Sequence, residues 1–137
     1  ERSALKRKLT AESLCTYAGL LEDLHRHAEA ASVYEKALMR NPKHVASLFN
    51  YGLMLETALK KPANAADMYS RILKIDPQHH LTLCNYGGLL ESVLHDYVTA
   101  ELMYVRALAL KPDDANTLYN YAGLLEDFRK DPAGALA

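Results

Sequence analysis

Asn50, Asn85 and Asn120 stand 35 residues apart, and Thr16 precedes the first of them by 34. A carboxamide both donates and accepts hydrogen bonds, so a row of such side chains suits the backbone of an extended peptide, whatever its side chains. Six residues after each of these positions comes a carboxylate: Glu22, Glu56, Glu91 and Glu126. Together they would make one face acidic and favour ligands carrying Lys or Arg. Each glutamate also has Arg26, Lys60, His95 or Lys130 four positions later, the orientation of a helical ion pair, and the two roles are compatible. Phe49 and Tyr119 directly precede Asn50 and Asn120; they offer anchors for ligand side chains or pack in part against a neighbouring unit. Gly19, Gly88 and Gly123 fall on the same face. Glycine inside a helix costs roughly 0.5–1 kcal/mol relative to alanine, so either an open floor for ligand backbone or close helix contact must offset it.

Other reactive residues do not assemble into a recognisable centre in the sequence. Cys15 and Cys84 occupy equivalent places two units apart, beyond the roughly 7 Å reach of a disulfide, and no CxxC element suggests structural zinc. His25, His27 and Glu29 fall at one turn and His79-His80 at another, where solvated turn residues are expected and no metal site. There is no phosphate-cradling glycine loop, nucleophile elbow or HExxH run. The expectation is a segment without catalysis and without a cofactor.

These positions belong to a larger recurrence. Tyr17-Ala18-Gly19-Leu20-Leu21-Glu22 returns at Tyr51, Tyr86 and Tyr121, after 34, 35 and 35 residues. Apolar residues recur at helical spacing in Leu14, Tyr17, Ala18 and Leu21, then again in Ala30, Tyr34 and Ala37 after a polar break, so each unit reads as two helices. Pro42, Pro77 and Pro112 sit in the breaks that end the second helices. First helices are expected near 11–24, 46–59, 81–94 and 116–129, and second helices near 28–40, 63–75 and 98–110. The exposed stripes of the first helices would hold Cys15, Thr16, Gly19 and Glu22 and their equivalents, with the hexad tyrosines pointing inward.

The 137 residues are half hydrophobic with a formal net charge of -1, an ordinary globular composition without a general pull toward nucleic acid or membrane. No apolar run is long enough to span a bilayer and no signal peptide is visible, so a cytoplasmic setting is the default expectation. Starting at Glu1 and stopping partway through the fourth unit, the sequence reads as a fragment of a longer array.

The run Leu14, Tyr17, Ala18, Leu21, Ala30, Tyr34, Ala37, Pro42, repeated in 45–79 and 80–114, resembles the tetratricopeptide repeat (TPR) signature. The resemblance covers about 11–137 and divides the chain into 1–10, a basic leader or the tail of a preceding helix, then repeats 11–44, 45–79 and 80–114, and a truncated repeat 115–137. It implies an all-α, right-handed α-solenoid of antiparallel helix pairs. It also implies a protein-interaction scaffold that binds an extended peptide in a concave groove. The Asn50, Asn85, Asn120 series is similar to the asparagine ladder of the O-GlcNAc transferase repeat region. TPR domains that clamp the acidic C-terminal motif of chaperones carry basic residues and asparagines where this chain has Cys15, Gly19, Leu81 and Asn85. That motif is therefore not an expected partner. Alternatives are an assembly or self-association module, or the substrate-recruiting arm of an enzyme whose catalytic domain lies elsewhere. Single-stranded RNA readout, as in pentatricopeptide repeats of the same period, fits the neutral charge and the Asn/Asp-Pro turns poorly.

Overall fold

The computed structural model describes residues 9–130, and these hold seven α-helices and no strand. Two compact units divide at Ile75 and Asp76. The first contains α1 (Ala11–Asp23), α2 (His27–Arg40), α3 (Val45–Thr57) and α4 (Pro62–Ile75). The second contains α5 (His80–Ser92), α6 (Tyr97–Leu110) and α7 (Ala115–Lys130). Most of the leader expected at 1–10, and residues 131–137 of the fourth repeat, lie outside the described residues.

Short polar side chains start three of these helices by supplying acceptors to amides that have no partner in the first turn. Thr10 forms a capping box with Ser13 before α1, Asp96 accepts from the Thr99 amide at 3.2 Å before α6, and Asp114 accepts from the Thr117 amide at 3.1 Å before α7. Proline-containing turns end the second helices. The side chains of Asn41 and Asp76 accept the amides of Lys43 and Gln78 there, and arginines from the following second helices tie down the turns, Arg71 on the Pro42 carbonyl and Arg106 on that of Pro77.

Within each unit the first helices lie beside the second helices, and the core is built around second-helix tyrosines. Tyr34, Tyr69 and Tyr104 are completely buried. The hexad tyrosines, expected to point inward, are not: Tyr17 is 50% exposed and Tyr51, Tyr86 and Tyr121 are half-buried. They lie across the buried set, Tyr51 stacked on Tyr34 at 5.6 Å and Tyr121 tilted on Tyr104 at 6.1 Å between ring centroids. Their hydroxyls reach carboxylates of the preceding second helix, Tyr51 to Glu35 and Tyr121 to Glu101. Cys15, expected on the open stripe, is buried in the α1 core face.

Three linkers join first to second helices: residues 24–26, 58–61 and 93–96, the latter two carrying the extra residue of the 35-residue period. Each contains one residue in the left-handed region, His25 (φ 58°), Lys60 (φ 53°) and His95 (φ 53°). In the shortest linker the His25 amide bonds Glu22 O and the Arg26 amide bonds Leu21 O, a Schellman closure that consumes the last carbonyls of α1. Lys61 and Asp96 reach back six residues, to Leu55 and Leu90, so the inserted residue is absorbed by a wider closure.

Candidate functional site

In the first unit the open face of α1 and α3 forms a cleft of about 440 Å³ lined by Thr16, Gly19, Leu20, Glu22, Asp23, Tyr34 and Asn50. Three of the residues singled out by recurrence, Thr16, Glu22 and Asn50, thus meet in one cavity. Nothing lies within 4 Å of where a Gly19 Cβ would stand. The missing side chain leaves open floor, and close helix contact does not explain this glycine. Thr16 bonds back to the Glu12 carbonyl at 3.1 Å, and Asn50 donates from Nδ2 to Cys15 Sγ at 3.7 Å, a contact with a weak acceptor. Phe49 is half-buried with its ring 6.4 Å from that of Tyr69.

In the second unit α5 and α7 carry the equivalent residues. Asn85 and Asn120 are half-buried. Tyr119 is 80% exposed. Gly88 and Gly123 again face ordinary space, with Tyr104 Oη at 3.9 Å and Glu91 Oε2 at 3.6 Å from their would-be Cβ positions.

The glutamates have a partner that their spacing did not reveal. Tyr34, Tyr69 and Tyr104 donate their hydroxyls to Glu22, Glu56 and Glu91, the last two at 2.8 and 2.9 Å. A buried phenol needs an acceptor, and a glutamate in the last turn of the first helix supplies it. Burial, and then these carboxylates, raise all three phenols above their ordinary range. The expected i,i+4 ion pairs do not form: among the described residues Arg26 pairs with Glu29 and Arg129 with Glu126, both at i,i+3. Glu22 is therefore held by Tyr34 from below while it lines the cleft.

Glu91 is the most perturbed of them. Burial pushes its carboxyl up to about 7, with a hydrogen bond to Asp127 and the charge of Asp127 adding to it and the Tyr104 hydroxyl opposing. Glu91 therefore stays protonated to higher pH than an ordinary carboxyl. The folded chain keeps this proton after the unfolded chain has lost it near 4.5, so raising the pH from about 4.5 to about 7 erodes stability. Below that window both states are protonated, and above it the cost is constant. The melting temperature should therefore decline across this interval, and Glu91→Gln should flatten the decline. An unchanged slope in the variant would place the linkage elsewhere.

Residues 18–80 match the tetratricopeptide repeat family model. That segment belongs to the tetratricopeptide repeat family. Solved structures of the same fold include a tetratricopeptide repeat protein from Parabacteroides merdae, with TM-score 0.83 and 22% identity, covering 98% of this chain and 53% of that one. The first TPR of Spaghetti (RPAP3), bound to the HSP90 peptide SRMEEVD, gives TM-score 0.79 and 18% identity over 87% of this chain and 93% of that one. The Sgt2 TPR domain from Aspergillus fumigatus gives 0.76 and 16% over 91% and 83%. At these identities the likeness establishes the all-α solenoid of TPR helix pairs. The chain spans about half the length of the Parabacteroides protein it matches, and no curated protein shows significant sequence similarity to it. TPR proteins in general serve as interaction scaffolds, and among the described residues no helix of this TPR chain is long and apolar enough to cross a membrane.

The second TPR unit also brings together residues that the sequence reading kept apart. His80, Cys84 and Asp114 place one potential ligand atom each within 4.8 Å of one another. The i,i+4 spacing of His80 and Cys84 was the available signal; the approach of Asp114 from the next turn was not legible.

Proposed function

We propose that this TPR chain binds an extended peptide along the open face of its first helices, with Thr16, Asn50, Asn85 and Asn120 holding the ligand backbone. The observation that carries this reading is the α1–α3 cleft, where Thr16, Glu22 and Asn50 surround a floor kept bare by Gly19. Tyr119 supplies an exposed aromatic anchor, with the half-buried Phe49 in a lesser role. Glu22, Glu56, Glu91 and Glu126 select basic side chains, and a ligand Lys or Arg beside Glu91 favours its ionised form. One TPR relative is bound to an HSP90 peptide, SRMEEVD; here an acidic ligand would face glutamates, and Cys15, at a clamp position, is buried. Neither catalysis nor nucleic-acid binding is part of this proposal.

A peptide selected from a random library on the wild-type chain provides the probe. Asn50→Ala, Asn85→Ala and Asn120→Ala combined should weaken its binding by at least about tenfold, roughly 1.4 kcal/mol, while far-ultraviolet circular dichroism stays unchanged. Retained affinity in the triple variant would rule out the asparagine series as the binding element.

A second reading has its own observation. A larger cleft of about 640 Å³ opens on the other side of the first unit, where Leu38, Met39, Met68 and Arg71 of α2 and α4 meet Tyr51 and Leu55 of α3. Met39 is 82% exposed at its edge. Assembly through this face would respond to Met39→Glu and leave peptide capture intact.

A further inference from the structure

His80 opens α5 and Cys84 follows one turn later on the same face, as residues four apart do in a helix. The Cys84 sulfur stands 3.8 Å from His80 Nδ1 and 3.7 Å from Nε2. A tetrahedral ion with bonds of about 2.3 Å to sulfur and about 2.05 Å to nitrogen separates those atoms by about 3.6 Å. The separation fits this edge, and a turn of the His80 ring aims one nitrogen at the ion. Asp114 approaches from the turn before α7, and its carboxylate is fixed through Oδ2, which accepts both the amide and the hydroxyl of Thr117. Oδ1 is therefore the natural ligand atom. Thr117 Oγ1 also contacts Cys84 Sγ at 3.0 Å, so a single hydroxyl orients the carboxylate and the sulfur together, the kind of supporting contact on which metal sites depend.

We propose that His80, Cys84 and Asp114 form a binding site for a divalent transition metal ion, of which Zn²⁺ is the best fit. Sulfur, imidazole nitrogen and carboxylate oxygen are zinc's usual donors, and three of them leave the fourth tetrahedral position to water. Cys84 binds as the thiolate, its proton passing to solvent. One thiolate and one carboxylate then balance the two charges of the ion. All three residues are partly exposed, which gives the ion access. Lys111 lies near enough to act on both Cys84 and Asp114, and its charge moderates the affinity. The equivalent place in the first unit has Ala11 and His44 around Cys15, so that cysteine lacks the same donor set.

Cobalt reports the ligands without any mutation. Metal-free, reduced wild-type chain titrated with Co²⁺ should develop tetrahedral ligand-field bands and a thiolate charge-transfer band, saturating at one equivalent and displaced by Zn²⁺. Cys84→Ser should abolish the charge-transfer band, and His80→Ala should weaken Zn²⁺ binding by more than about tenfold. Asp114→Asn, which keeps the cap on α7, should weaken it as well. Cys15→Ser should change nothing. Absence of a thiolate band in the wild type overturns the site, as does equal loss in Cys15→Ser or binding that survives both Cys84→Ser and His80→Ala.

Discussion

Truncating Tyr69 to alanine should cost about 3–5 kcal/mol of stability, the range for removing a fully buried aromatic side chain. The ring is completely enclosed, packs directly on the backbone of Gly52, and carries a hydroxyl that bonds Glu56 at 2.8 Å. Tyr69→Phe separates the two contributions. It keeps the ring and removes only the hydroxyl, leaving a half-buried Glu56 that can turn to water, so the expected loss is about 0.5–1.5 kcal/mol. Urea unfolding followed by far-ultraviolet circular dichroism measures both. Equal losses in the two variants would mean that ring burial does not hold α3 to α4. Because stability in a repeat array is close to a sum of units and their interfaces, the damage should begin in the first unit.

The second large effect divides glycines that look alike in the sequence. A Cβ on Gly87 would stand 2.7 Å from Tyr104 Cε1 and 2.9 Å from Cδ1, and on Gly52 2.8 Å from Tyr69 Cε1. Gly87→Leu must push a fully buried ring aside, and overpacking should exceed the helix-propensity gain of about 1 kcal/mol, for a net loss of about 3 kcal/mol or more. At Gly19 an added Cβ meets nothing within 4 Å, and Gly19→Leu should stabilise the chain by about 0.5–1 kcal/mol. The same substitution fills the floor between Thr16, Glu22 and Asn50, so peptide affinity should fall while the melting temperature rises. Thermal unfolding and a fluorescence-anisotropy titration on the two variants read both signs. A stable Gly87→Leu, or a Gly19→Leu that binds normally, would contradict the assignment of tight and open glycines.

Much of this was legible in the chain because helical period and turn residues are local. The spacing of Leu14, Ala18 and Leu21 gives one buried face, and the proline turns give the ends, so the helices fall within one or two residues of expectation. Recurrence likewise put Thr16 and Asn50 on one face, where they line one cleft. Periodicity failed at the hexad tyrosines because it gives the direction of a side chain around its own helix but not what stands opposite. Tyr51 is only half-buried and stacks across Tyr34, which already fills the core. The i,i+4 partners expected of Glu22, Glu56 and Glu91 failed for the same reason; a buried tyrosine 12 or 13 residues away takes each instead.

By itself the sequence determined a repeat array of helix pairs and the face on which its polar residues recur, because both depend on spacing within a helix or a turn. Tertiary structure alone decided which glycines are open, which hydroxyl holds each glutamate, and that Asp114 closes on Cys84 from 30 residues away. Those outcomes depend on how far apart neighbouring helices sit. That separation is set by side chains packing from both sides, and no single stretch of the chain contains it.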